Sequence, residues 1–126
     1  MPDFSWMHPS PPFWDKQGVP IITGRWFYLA NDYSYRLVCL TQVGRFDVST
    51  VWHGLNTVND LPPGGRPDVF KTRIFALDGT GQRRLCDDLD RRHYAELAAA
   101  RTGHGKVVAA VQTVSAAEDT MDELLQ

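Results

Sequence analysis

The chain of 126 residues has the length of one domain, and its 43% hydrophobic content is typical of a protein that folds around its own core. A formal net charge of -2 and a pI near 6.0 exclude a strong overall attraction to nucleic acid or anionic lipid. Two cysteines, without a signal peptide or a long apolar run, exclude a secreted disulfide framework and predict a cytoplasmic protein with no membrane segment.

Residues 1–19 are rich in proline and in aromatic side chains, which excludes a helix and favours an extended arm. This aromatic content is too high for a solvated linker. We therefore expect the arm to dock, either on its own domain or on a partner. In the second case Trp6 and Trp14 are candidate binding residues.

Residues 20–115 form the predicted domain, with an acidic tail over residues 116–126. Its first apolar segment, residues 21–31, fits a short helix and a strand equally well. Residues 35–43 alternate in polarity and are followed by Gly44 and Arg45. This pattern predicts a strand that ends in a hairpin turn.

Residues 46–55 are predicted to form the returning strand. Because side chains alternate between the two faces of a sheet, His53 is expected on the face opposite to most of the large apolar residues. The apolar face is predicted to pack under a helix and consists of Phe46, Val48, Thr50 and Trp52.

A loop, two more strands and a turn are predicted next. Prolines and glycines exclude regular structure from residues 56–68. Residues 69–77 alternate as a third strand, residues 78–81 (DGTG) form a turn, and residues 82–86 are a candidate short fourth strand.

The longest helical pattern follows these strands. Three aspartates within residues 87–90 predict a helix N-terminus, and His93 falls in this helix. Residues 102–105 (TGHG) interrupt the pattern, so either one helix bends there or a second helix begins. The whole pattern predicts an α+β domain, an antiparallel three- to four-stranded meander with a C-terminal helix packed on one face.

Four blocks of this domain resemble, in order, a family of small bacteriophage and prophage proteins. Those proteins have a V-S-T-V-(W/F)-x-G-L block, a Gly-Pro loop, an F-E-T-M-(V/I)-F strand and a helix with a Gly-His pair. The matching segments, which we call the signature blocks, are residues 48–55 (VSTVWHGL), 64–70 (GGRPDVF), 71–75 (KTRIF) and 103–104 (GH). Lys71 stands where the family usually has an acidic residue, and Arg66 replaces one of its paired prolines. The resemblance implies a phage or mobile-element origin and this fold, rather than a reaction.

The sequence contains no recognisable catalytic or metal-ligating set. His93 and Glu96 lie three residues apart on the predicted helix, but no second pair completes a metal site. Ser49 and Thr50 lie within a strand rather than on a G-x-S-x-G turn. Cys39, in an alternating strand, is typical of a small core side chain. We therefore expect a protein that uses no cofactor or metal and is not an enzyme.

Binding of single-stranded nucleic acid is one functional hypothesis. Lys71 and Arg73 project from one face of the third strand beside Phe75, as suits a phosphate backbone and stacked bases. Aspartates in residues 87–90 mix with the basic residues and favour a salt-bridged, solvated surface instead. Further arginines cluster where the sheet meets the helix: Arg83, Arg84, Arg91 and Arg92.

Protein–protein interaction is the leading hypothesis. Aromatic content, the proline-rich arm and the acidic tail all fit it, and an exposed sheet edge also permits pairing into a homodimer. Together with the resemblance, this predicts a non-enzymatic phage accessory protein that binds a host or phage protein, for example to inhibit a defence factor. A phage virion component is a further alternative. The predicted binding residues are Trp6, Trp14, His53 and the basic side chains named above.

Overall fold

The computed structural model describes residues 10–57, 61–87 and 92–125. The elements are α1 (Thr23–Ala30), α2 (Tyr33–Arg36), β1 (Leu37–Val43), β2 (Phe46–Trp52), β3 (Phe70–Leu77), β4 (Arg83–Asp87), β5 (His93–Tyr94) and α3 (Leu97–Leu125). The sheet is antiparallel with strand order β1-β2-β3-β4, and β5 pairs with the start of β3. One long helix, α3, packs across β1, β2 and β3. The predicted α+β meander with a C-terminal helix is therefore confirmed.

The two faces of the sheet differ in chemistry. Val48, Thr50 and Trp52 are fully buried on the side of α3, where Val48 packs with Val107 and Val111. The predicted alternation of β2 is therefore confirmed, and we call this side the covered face. The opposite side, which we call the basic face, carries Asp47, Ser49 and Val51 of β2 and Lys71, Arg73 and Phe75 of β3.

The main core is built around Trp52, at the end of β2. Its ring meets Tyr35 edge-on at a centroid distance of 4.9 Å, and its Nε1 donates a hydrogen bond to the Trp14 carbonyl at 3.0 Å. Leu29 of α1 and Ala100 of α3 close the same cluster. The core therefore joins the N-terminal segment, both short helices, the sheet and α3.

The described part of the N-terminal arm docks on its own domain. The Trp14 N–H donates to the Gly54 carbonyl at 3.0 Å, and Phe13 stacks on Trp26 at a centroid distance of 4.8 Å. Trp14 itself is buried in the core. Trp6, the other predicted anchor of the arm, lies outside the described residues.

The start of β1 differs from the prediction. The ambiguous segment over residues 21–31 forms α1, and the predicted strand over residues 35–43 begins only at Leu37. Its first two residues instead end α2, because the Asp32 side chain caps that helix by accepting the Tyr35 N–H at 3.3 Å.

The predicted helix start at the aspartates is wrong. Asp87 ends β4, His93 and Tyr94 form β5, and α3 begins only at Leu97. Local acidic residues favoured a helix N-terminus, but β5 gains backbone pairing with the start of β3. A tertiary contact that residue spacing does not reveal thus overrides the local signal.

The predicted interruption of the helix does not divide it. α3 runs without a break through Gly103 and Gly105 into the acidic tail, so the alternative with two helices is wrong. Gly103 lies against the Tyr94 ring, and a Cβ at this position would overlap that ring. The glycine therefore allows a close approach between α3 and the sheet rather than ending the helix.

Candidate functional site

Side chains from three signature blocks meet beneath α3. Thr50 Oγ1 lies 2.6 Å from Thr72 Oγ1 and 2.8 Å from His104 Nδ1. His104 Nε2 lies 2.9 Å from Thr41 Oγ1. Thr50 and Thr72 face each other across β2 and β3. These four side chains form a continuous chain of hydrogen bonds, which we call the threonine–histidine network.

This network has a structural explanation. Burial lowers the pKa of His104, so the ring is neutral and offers one donor and one acceptor. Each ring nitrogen has a threonine hydroxyl as its partner, and a hydroxyl can take either role. The signature blocks therefore specify contacts that hold α3 on the sheet.

A cleft on the basic face has different chemistry. Its volume is about 280 Å³, and four elements contribute side chains to it. Lys71 pairs with Val51 on one side and with His93 on the other, which places these three side chains in one row across the sheet. This basic cleft is lined by Arg36, Val51, His53, Leu55, Thr57, Lys71, Arg73 and His93.

His53 directly follows β2 and is held by three hydrogen bonds. Its backbone N–H donates to the Val69 carbonyl at 2.8 Å, and its carbonyl accepts Trp26 Nε1 at 2.9 Å. The ring Nδ1 accepts the Leu55 N–H at 3.0 Å. The neutral ring therefore carries its proton on Nε2, which makes that nitrogen a hydrogen-bond donor.

The electrostatic environment of His53 is positive. Burial, followed by the neighbouring His93, Lys71 and Arg73, lowers the pKa of His53 to about 4, against a hydrogen bond with the Asp68 backbone that raises it. The centroids of the two imidazole rings are 6.3 Å apart. His53 is thus neutral at physiological pH because its surroundings already disfavour a further positive charge.

The structure brings some of the predicted binding residues together in this cleft, namely His53, Lys71 and Arg73. Arg83 lies on the same face but is engaged elsewhere. Its Nη2 is 2.9 Å from Asp47 Oδ2, and its guanidinium lies 5.6 Å from the centroid of the Phe75 ring. Arg83 therefore neutralises a nearby carboxylate and covers an aromatic ring of the basic face.

The remaining predicted binding residues lie apart from the cleft. Arg84 is exposed on β4, and Arg92 lines a separate groove beside α3. Trp14 belongs to the core. Trp6 and Arg91 lie outside the described residues.

Two residues of the cleft were missed by sequence reasoning. His93 was placed on a helix, whereas β5 puts it beside Lys71. Arg36 was placed inside a strand, whereas it ends α2 at the edge of the cleft. The position of His93 carries no local signal, since it depends on pairing between distant segments. Arg36 follows from a local one, the Asp32 cap of α2.

The predicted geometry of the candidate metal ligands is wrong. His93 lies in β5 and Glu96 precedes α3, so the two residues do not share a helix face. Within the described ranges, no group of three His, Cys, Asp or Glu side chains is placed to hold a metal ion. Cys39 and Cys86 are both free thiols.

The last part of α3, residues 112–125, forms a second candidate surface. Val114, Met121 and Leu125 are 51%, 56% and 80% exposed. A shallow groove of about 570 Å³ runs between this part of the helix and the β1–β2 turn at Gly44 and Arg45. We call residues 112–125 the C-terminal segment of α3.

Among the helices that the structure describes, none is both long and apolar enough to cross a membrane. Neither a scan against protein-family models nor searches of curated proteins and of solved structures found a match to this chain.

Proposed function

We propose that this protein is a phage or prophage accessory protein that acts by binding another protein through the C-terminal segment of α3. The observation that carries this proposal is an apolar helix face that extends past the sheet. Val107 and Val111 are buried against the sheet, and the same face continues to the exposed Val114 and, one heptad later and past Glu118, to the exposed Met121 and Leu125.

The segment extends beyond the sheet that supports the rest of the helix. With 29 residues, α3 is about 43 Å long, whereas the seven residues of β2 span about 23 Å. The β1–β2 turn supports the helix as far as Glu118, whose carboxylate Oε1 lies 2.8 Å from Arg45 Nη2. The apolar side chains beyond this ion pair are exposed.

Charge indicates the chemistry of the partner. Lys106 is the last basic residue of the chain, and the C-terminal segment contains Glu118, Asp119, Asp122 and Glu123. An acidic amphipathic helix complements an apolar groove with a basic rim, which is a recurrent mode of peptide recognition. We therefore expect the partner, a host or phage protein, to present an apolar groove with a basic rim.

The phage setting is supported by the order of the signature blocks along the chain. Small phage proteins of this kind fit a role in inhibiting a host defence or housekeeping factor. A protein that inhibits by binding needs no catalytic residues, because its effect depends on the residues of its contact surface.

Affinity measurements with matched variants test the proposal. The double variant Met121→Ser and Leu125→Ser removes apolar contacts, whereas the control, Thr113→Ala and Thr120→Ala, changes exposed polar positions of the same segment. A partner captured stoichiometrically from host lysate is purified, and its Kd is measured with each variant. We expect the serine variant to weaken binding about tenfold or more and the control to leave it unchanged.

Two results would count against this function. One is a partner that binds the serine variant and the wild type equally well. The other is self-association, in which light scattering finds a wild-type dimer that the serine variant dissociates. In that case the segment serves a second copy of the chain.

Nucleic-acid binding is the second candidate function, favoured by the location of Lys71 and Arg73 on one face of the sheet. It ranks lower because Arg83 pairs with Asp47 and lies over Phe75, the phenyl ring of β3 on this face. Binding of a single-stranded oligonucleotide that weakens with added salt and with Lys71→Gln would support it. Stoichiometric recovery in purified phage particles would instead identify a virion component.

A further inference from the structure

The basic cleft lies apart from the C-terminal segment of α3 and shares no lining residue with its groove. Four elements meet there: α2 supplies Arg36, β2 supplies Val51 and is followed by His53, β3 supplies Lys71 and Arg73, and β5 supplies His93. Strand pairing fixes the spacing of these side chains. The cleft is therefore largely preformed, as small-molecule sites usually are.

The charges of the cleft favour an anion. Among the described residues that line it, none is acidic, and Arg36, Lys71 and Arg73 are cationic. Lys71 and Arg73 also make other contacts within the chain, so a ligand would add to interactions that already orient them. Guanidinium and ammonium groups around one small volume are typical of phosphate recognition.

One of the two histidines adds a polar group without a partner. The His53 ring is already paired, since Nδ1 accepts the Leu55 N–H and a further hydrogen bond joins the ring to the Asp68 backbone. His93 Nε2 is buried without a hydrogen-bond partner in the described part of the chain. A buried polar nitrogen of this kind is stabilised when a ligand oxygen pairs with it.

The remaining walls indicate the size and class of the ligand. Val51 and Leu55 add apolar surface beside the charges of the cleft, and its volume of about 280 Å³ lies just below the usual range for small-molecule sites. We propose that the basic cleft binds the phosphate group of a small phosphorylated compound. Arg36, Lys71 and Arg73 contact the phosphate oxygens, His93 Nε2 donates to them, and the apolar side chains contact the rest of the molecule.

Titration of the histidine ring protons by NMR tests this site in the full chain. Inorganic phosphate and glycerol phosphate are added separately at constant ionic strength, with chloride as the reference anion. Bound phosphate should raise the pKa of His53 by about one unit or more, because an anion next to the ring offsets its cationic neighbours. Tighter binding of glycerol phosphate assigns the site to phosphomonoesters, and equal binding assigns it to free phosphate.

Single substitutions locate the binding. Lys71→Gln and Arg73→Gln should each weaken phosphate binding about tenfold or more, as expected for loss of a charged hydrogen bond. The matched control is Arg84→Gln, since Arg84 is exposed on β4 and does not line the cleft. If a β3 variant fails to fold, Arg36→Gln provides the same test from α2.

Three outcomes would overturn the proposal. Phosphate could shift the His53 and His93 signals no more than chloride does. Arg84→Gln could weaken binding as much as Lys71→Gln, which would make the effect a general one of net charge. An oligonucleotide could bind while both small phosphates do not, which would assign the face to nucleic acid. None of these results affects the protein partner proposed for α3.

Discussion

His104 and His53 lie on opposite faces of the same sheet, and their surroundings differ. On the covered face, both nitrogens of His104 pair with threonine hydroxyls beneath α3. On the basic face, burial and the neighbouring His93, Lys71 and Arg73 disfavour protonation of His53. Both rings are neutral, but one completes a buried network and the other lines a cleft. The role of a histidine in a signature block therefore depends on the face of the sheet on which its side chain lies.

The largest expected difference in stability between the two faces is the one between substitutions at two neighbouring residues of β2. Trp52 is fully buried on the covered face, and Val51 is half-buried on the basic face. Trp52→Ala should lower the free energy of unfolding by about 3–5 kcal/mol. Val51→Ala should lower it by about 1 kcal/mol, because the substitution removes only two methyl groups and the site is already partly solvated.

Urea denaturation followed by circular dichroism measures both changes. Equal losses for the two variants would contradict the assignment of the main core to the covered face. A Val51→Ala variant that is as stable as the wild type would show that the basic face contributes nothing to packing at this position.

Alanine substitutions at two glycines of α3 are expected to change the stability in opposite directions. Gly103 faces Tyr94 on the covered face, whereas a Cβ at Gly105 has no atom within 4 Å. Gly103→Ala should destabilise by about 1–3 kcal/mol through overpacking. Gly105→Ala should stabilise by about 0.5–1 kcal/mol because alanine is the better helix former.

Thermal unfolding of the two alanine variants measures both changes in stability, since the same substitution is made at each position. Stabilisation by both substitutions would mean that Tyr94 moves aside without loss, and that the close approach at Gly103 is not required. Destabilisation by both would contradict the exposure of Gly105.

The sequence predicts the covered face better than the cleft, for a physical reason. Alternation within one strand places Val48, Thr50 and Trp52 on one side, since it depends only on the period of the backbone. The same rule places His53, Lys71 and Arg73 together on the other side. His93 joins them only through a pairing with a residue 22 positions earlier in the chain, which residue spacing cannot show.

Helix ends were predicted poorly for a related reason. Aspartates in residues 87–90 are a valid local signal for a helix start, but strand pairing of His93 and Tyr94 competes with it. The TGHG segment is a valid signal for a helix end, but Gly103 accommodates the Tyr94 ring instead. In both cases a contact between distant segments replaces a local preference.

The pH dependence that His53 adds to stability is expected to be smaller than the difference between Trp52→Ala and Val51→Ala. Its folded-state pKa of about 4 lies below the value of about 6.5 expected for the unfolded chain. Below pH 6.5 the unfolded state therefore binds more protons than the folded state. The free energy of unfolding should then fall as the pH decreases from about 6.5 toward 4.

His53→Asn isolates this contribution, because an amide oxygen can replace Nδ1 as the acceptor of the Leu55 N–H. Between pH 7 and pH 5 the wild type should lose up to about 2 kcal/mol more than this variant. This range lies above the titration of Asp78 and Glu118, whose pKa values are lowered by their hydrogen bonds. His104 remains in the variant and keeps part of the slope, since burial lowers its pKa as well. Equal losses in the two proteins would mean that His53 is protonated in the folded state near pH 6. The description of the basic cleft as a positive environment would then be wrong.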